Sequence, residues 1–257
     1  MSESKAIDSS PGFGPAEATH RGQRNILPYI GATVFGLGLI GGGLFTLLSL
    51  GVAFDDLGAG VFGLVCFGGL SLICLVGLIG MIVWATRTKV RTVSIHPEGI
   101  VDISGQKEVV LRWEDVKEMY YAVTQHKSYG VNTYRSHSYT VVSYAGDKLV
   151  YGNGFSDIEK IGEALASRIT ATLLPKIIER IQSGETVAFG KLGMNRQGIV
   201  KGSQTVPWDE IEEVKLRQGF ISIRKQGKWF NWTGIAVSNT PNVFVFLSLA
   251  DRMVGLE

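Results

Sequence analysis

The sequence predicts an α-helical transmembrane hairpin joined to an α+β cytoplasmic region of two units, each a set of antiparallel strands followed by one helix. Three observations predict it: two long charge-free runs near the N-terminus, a period-two alternation that twice gives way to a helical period, and a glycine and tryptophan pattern that occurs twice.

The 257 residues carry 25 Lys and Arg against 23 Asp and Glu, a net charge of +2. None of these charges, and no His, falls in Asn25 to Phe54 or in Leu57 to Thr86. Each run exceeds the roughly 20 residues an α-helix needs to cross about 30 Å of hydrocarbon. The residues between them include Asp55 and Asp56, whereas Arg21 and Arg24 precede the first run and Arg87, Lys89 and Arg91 follow the second. Loops rich in Lys and Arg stay in the cytoplasm, so both termini are expected there. Cys66 and Cys74 both lie in the second run, which leaves no basis for a structural disulfide or a cysteine metal site. A net charge of +2 does not predict a nucleic-acid partner.

Residues 1–24 are rich in Ser, Pro and Gly without apolar period and read as a disordered cytoplasmic tail. Residues 25–88 form the hairpin. Residues 89–184 are the first unit, with strands expected near 90–95, 99–103, 108–112, 116–123, 139–144 and 148–151, and a turn at Ala145-Gly146-Asp147. Ser156, with Glu159 three residues on, is expected to cap a helix. Ile158, Ile161, Leu165, Ile169 and Leu173 share one helical stripe, which continues past an expected kink at Pro175 and ends at Gly184.

Residues 185–257 repeat the plan. Gly99-Ile100-Val101, a turn near Gly105 and Trp113-Glu114-Asp115-Val116 are echoed by Gly198-Ile199-Val200, a turn near Gly202 and Trp208-Asp209-Glu210-Ile211. Such spacing indicates duplication. Strands are expected at 220–224 and 228–232, then a helix opened by Thr240 and Pro241 and ended near Gly255.

This pattern resembles the pleckstrin-homology-like (PH-like) domains of bacterial membrane proteins, some families of which place such a domain after a two-helix membrane hairpin. The resemblance covers Val90 to the C-terminus and rests on Gly99, Trp113, Val116, Gly198, Trp208 and Ile211, with Asn242 and Val243 at the last helix. It implies two PH-like units, a bacterial cytoplasmic membrane, and a fold that serves lipid, peptide and self-association roles alike. Against that pattern, Thr124 to Ser138 is an unusually long segment.

Gly36-Leu37-Gly38-Leu39-Ile40-Gly41 matches a dinucleotide fingerprint by letter, but a phosphate is excluded from an apolar span. Gly38 with Gly42, and Ala59 with Gly63, read instead as small-residue pairs for helix packing. His20, His96, His126 and His137 show no metal-ligand spacing. The acidic groups Glu114-Asp115 and Asp209 to Glu213 recur at one place in both units and read as strand-start or turn residues. Asn231-Trp232-Thr233 is a glycosylation sequon, expected to stay bare in the cytoplasm. No catalytic, metal or cofactor site is expected.

The candidate lipid or partner surface is Lys215, Arg217, Arg224, Lys225, Lys228, Trp229 and Trp232, a basic run followed by aromatics. A second is the tyrosine-rich stretch with Tyr120, Tyr121, Tyr129, Tyr134 and Tyr139. The function expected is a membrane-anchored, non-enzymatic adaptor that binds a protein partner, itself or anionic lipid. The alternative is an accessory subunit of a larger membrane transport or energy-converting complex.

Overall fold

The structure, a computed structural model, describes residues 12–52, 57–87, 90–128 and 131–254. It forms two compact units, one of residues 23–90 and one of the residues on either side of them.

The smaller unit is a pair of helices, α1 (Leu27–Val52) and α2 (Leu57–Arg87), both long and apolar enough to cross a membrane. Their few hydroxyls are satisfied within the helix: Thr46 donates to Gly42 O (2.7 Å), Ser49 to Phe45 O and Ser71 to Phe67 O (2.8 Å each), as an apolar medium requires. The helices approach at glycines. A Cβ on Gly31, Gly38, Gly42, Gly63 or Gly77 would collide with Met81, Cys74, Ser71, Ser49 or Phe35 respectively. Gly36 and Gly41, the other glycines of the fingerprint-like run, face open space. Tyr29 and Trp84, each 42% exposed, lie near the two ends of the hairpin that carry Arg24 and Arg87, and the Arg24 guanidinium sits 5.6 Å from the Tyr29 ring. The acidic connection at Asp55 and Asp56, and Lys89, lie outside the described residues.

The larger unit is built twice over. In the first copy, β1 (Ala18–Arg21), β2 (Arg91–Ile95), β3 (Gly99–Ser104) and β4 (Lys107–Arg112) make an antiparallel sheet in that order. A single 3-10 turn, Trp113–Asp115, leads to a three-stranded sheet of β5 (Val116–Ser128), β6 (Val131–Ser143) and β7 (Lys148–Tyr151), and then α3 (Ile158–Gln182) closes the copy. The second copy repeats this with β8 (Val187–Phe189), β9 (Leu192–Met194), β10 (Gly198–Lys201) and β11 (Gln204–Pro207). The 3-10 turn Trp208–Glu210 follows, then β12 (Ile211–Arg217), β13 (Phe220–Lys225), β14 (Asn231–Ala236) and α4 (Val243–Val254).

Equivalent residues do equivalent work. Trp113 Nε1 donates to His96 O (3.1 Å) and Trp208 Nε1 to Asn195 O (3.2 Å); their backbone amides donate to Glu98 O and Gln197 O (3.1 Å each). Gly99 and Gly198 lie so close to the next strand that a Cβ would strike Leu111 O or Val206 O. Gly105 and Gly202 take the left-handed φ, 65° and 60°, that their turns demand. Both copies share one core, in which Ile100, Val116, Val141 and Leu165 join Ile199, Ile221 and Phe246. Asn242, at φ 53°, ties them together: its Oδ1 accepts from Met119 N (2.9 Å) and its Nδ2 donates to Lys117 O (3.1 Å), both on β5.

Five expectations are corrected. Residues 12–22 are not a free tail. Ala18–Arg21 pairs with Thr92–Ile95, Phe13 packs 5.6 Å from the His96 ring, and Glu17 pairs with Arg168 on α3. An alternation of only four residues is too short to announce a strand whose partner lies beyond the hairpin. The long segment Thr124 to Ser138 does not stand apart from the strands: its described residues continue β5 and β6, which pair from Val116↔Ser143 to Ser128↔Val131. Helix α3 begins after Asp157, not at Ser156, and no side chain caps it; it then runs through Pro175 as one element. The last strand starts at Asn231, three residues later than expected, which leaves Lys228, Trp229 and Phe230 in a loop. Finally, α4 begins two residues after Pro241, since Asn242 is held in the left-handed region by β5. The expected stop at Gly255 lies outside the described residues.

Candidate functional site

Two features of the larger unit differ from ordinary packing: the point where the chain leaves for the hairpin and returns, and one end of the second copy.

The exit and return points are bonded neighbours. Gly22 N donates to Arg91 O (2.7 Å), and β1 and β2 pair in register from Ala18↔Ile95 to Arg21↔Thr92. A Cβ at Gly22 would press on that carbonyl. Arg91 is then fixed by a charge-assisted fork. Its Nε donates to Asp102 Oδ1 (2.8 Å) and Oδ2 (3.0 Å), its Nη2 to Asp102 Oδ2, and its Nη1 to Val150 O. Asp102 is 3% exposed. The guanidinium stacks on Tyr151, 4.8 Å from the ring centroid. The hydrogen bond with Asp102 raises the Arg91 pKa above its ordinary value. Burial, then the Asp102 charge, raises that of Tyr151, whose hydroxyl is buried without a hydrogen-bond partner.

The candidate surface Lys215, Arg217, Arg224, Lys225, Lys228, Trp229 and Trp232 is not one patch. Arg217 pairs with Phe220 at one end of β13, while Lys225 stands at the other, five residues or about 17 Å away. Much of its charge is neutralised: Lys215 pairs with Glu213, Arg224 with Glu212 (3.0 Å) and Glu213 (3.4 Å), and Lys225 with Glu210 (3.4 Å). Glu213 lies two residues before Lys215 on β12, whereas the carboxylates that meet Arg224 and Lys225 sit on the neighbouring strand or turn. Lys228, Trp229 and Trp232 stay together. Trp232 is half-buried between Lys225 and Lys201, each Nζ 5.9 Å from the ring. Trp229 is 99% exposed and its neighbour Phe230 72%.

Sequence reasoning missed two participants at this end: Lys191 in the β8–β9 turn and Lys201 at the end of β10. Gly190, Lys191, Lys201, Gly202, Ser203, Gln204 and Trp232 line a shallow open depression there, and Lys201 Nζ donates to Thr233 Oγ1 (2.7 Å). Only the hydrophobic Lys-Trp-Phe run gave a signal in the sequence.

The tyrosine-rich stretch separates by strand face. Tyr121 stacks on Tyr139 (5.0 Å) and His137 (6.0 Å) and meets Phe244 of α4, so this face is internal. Gly162 lets α3 settle on the Tyr139 ring, where a Cβ would collide. Burial raises the pKa of both tyrosines. Tyr120 points to the other face and donates to Glu118 (2.8 Å). Tyr129 lies outside the described residues.

Among the histidines, His20 lies on β1, 3.6 Å from Asp157, and His137 on β6, near Tyr121 Oη (3.0 Å) and Glu159 (3.5 Å). His96 is buried and its Nδ1 donates to Gly14 O (2.7 Å). Among the described residues no group of three His, Cys, Asp or Glu side chains converges. Glu114-Asp115 and Asp209-Glu210 occupy the 3-10 turns that open β5 and β12, and Glu212 and Glu213 lie on β12 itself. In the helical pair, Gly38, Gly42 and Gly63 lie at the contact between α1 and α2.

Residues 33–255 match the model of a family described as one of unknown function. The chain belongs to this family, DUF6585. The DUF6585 match takes in most of α1, all of α2, the Arg91–Asp102 fork and both copies of the fold except β1. Among curated proteins nothing matches the chain.

Proposed function

We propose that this DUF6585 protein is a membrane-anchored, non-enzymatic adaptor. Its two helices cross a bacterial cytoplasmic membrane as a hairpin, with both termini and the duplicated body on the cytoplasmic side. The body acts as two PH-like units that bind a protein partner or a second copy of the chain.

The observation that carries this reading is the pairing of Gly22 with Arg91 (2.7 Å). A chain that leaves a strand, runs through two apolar helices and returns to pair with that same strand must bring both helix ends back to one point. The polar residues before and after the hairpin then share one side of the bilayer. Arg21, Arg24, Arg87 and Arg91 flank that point, which fits cytoplasmic retention. Four strands, three strands and a closing helix in each copy fit the PH-like reading, and the fold leaves the ligand to be set by its surface.

The test is purification of the full chain from its native membrane in mild detergent. The adaptor reading expects a stable assembly larger than the monomer. A strictly monomeric chain with no affinity for lipid contradicts it.

A further inference from the structure

The loop between β13 and β14 exposes more aromatic surface than folding explains. Lys228 N donates to Lys225 O (3.1 Å), and Gly227 takes φ 66°, so the chain turns tightly and projects Trp229 and Phe230 outward. Trp229 is 99% exposed and Phe230 72%. A fully solvated Trp beside a solvated Phe marks a place where something else covers them.

Charge narrows what that is. Lys225 is neutralised by Glu210 and Arg224 by Glu212. Among the described residues, by contrast, no carboxylate pairs with Lys228, or with Lys191 and Lys201 on the adjacent turns. Cations around an aromatic tip match an anionic surface with an apolar layer beneath it, which is the profile of a bilayer interface.

The duplication supplies a second observation. The β8–β9 turn at Gly190 and Lys191 corresponds to the β1–β2 connection of the first copy, which is where the chain runs out into its two apolar helices. The end of the first copy that opens into the hairpin is therefore, in the second copy, the end that carries Lys191 and Lys201, and Trp232, two residues after Phe230, has its ring 5.9 Å from the Lys201 Nζ.

We infer that the β13–β14 loop is a second, peripheral membrane contact. Trp229 and Phe230 enter the interfacial layer of an anionic bilayer, while Lys228, Lys191 and Lys201 meet its phosphates. This rests on the proposed membrane anchorage and adds the ligand of the second copy.

The experiment places the full chain in nanodiscs of phosphatidylcholine, with or without phosphatidylglycerol, and follows the tryptophan emission that distinguishes the wild type from Trp229→Phe. In anionic discs this component should be quenched by brominated lipid and shielded from acrylamide, and Lys228→Gln should lower the ratio of inserted to free loop about fivefold. Equal acrylamide access in anionic and neutral discs overturns the inference. So does shielding that ignores lipid charge and rises with the number of chains per disc, which identifies a contact between copies. Loss of insertion with the purified assembly intact removes only this contact, whereas loss of the assembly with insertion intact removes the adaptor reading.

Discussion

The two copies of the fold diverge most where the first gives up its β1–β2 turn. In the second copy β8 and β9 are joined by Gly190 and Lys191 alone; in the first the same connection holds residues 23–90 with both apolar helices. Around that point the side chains differ as well. Arg91 and the buried Asp102 form a fork in the first copy, and the positions that correspond to them are Gly190 and Lys201, the latter bonded to Thr233. The core features are kept: the Trp that bonds back to the preceding strand, and the glycine against the next strand's carbonyl. A turn between antiparallel strands tolerates a long insertion because its closure entropy grows slowly with length, provided the two strands remain paired. Arg91 and Asp102 supply that condition.

The largest expected effect breaks the likeness of the copies. Gly99→Ala and Gly198→Ala each drive a Cβ into a backbone carbonyl and should cost about 3 kcal/mol or more, read as a lowered denaturation midpoint of the detergent-solubilised chain. A large loss at one glycine with none at the other would show that the copies are not equivalent.

The next sharpens the difference between them. Asp102→Ala strands the Arg91 charge and should cost about 3 kcal/mol. Lys201→Ala, at the corresponding position on an exposed side chain, should cost about 1 kcal/mol. Equal losses in thermal melts would refute a special role for the Arg91–Asp102 pair.

How much of this was legible in the sequence follows from how local each signal is. The charge-free runs, the α3 stripe and the Gly and Trp pattern are local, and they held. Strand β1 was invisible because its partner lies beyond the hairpin. The outer half of β5 and β6 was not legible as strand because Thr124 to Ser138 carries no apolar alternation. The neutralisation of Arg224 and Lys225 depends on register across strands, and a basic run in one strand says nothing of the acids opposite. Asn242 was noted only through the resemblance; its work, two bonds to β5, is tertiary.

That last residue gives a smaller effect. Asn242→Ala removes both side-chain bonds from Asn242 to β5 and places alanine at φ 53°, so about 2 kcal/mol should be lost. If the copies unfold in one transition in the wild type, this variant is the one expected to separate them in a denaturant series. The smallest effect depends on pH. The Arg180 hydrogen bond lowers the Glu185 pKa below its ordinary value, so its contribution is present above the unfolded carboxylate pKa and is lost as pH falls through the folded one. The slight Tm difference between wild type and Glu185→Gln should vanish on acidification; a difference that grows in acid would reverse the sign.

The account depends most on β1, the strand ahead of the hairpin, pairing with β2 behind it. Thr19 and Ser94 face each other across that pair, with Oγ atoms 3.2 Å apart. With Cys66 and Cys74 replaced by alanine, the double variant Thr19→Cys, Ser94→Cys should form an intramolecular disulfide when the full chain is oxidised in intact membranes. Failure to cross-link, while the pair Val101→Cys, Val110→Cys on β3 and β4 cross-links under the same conditions, would contradict it.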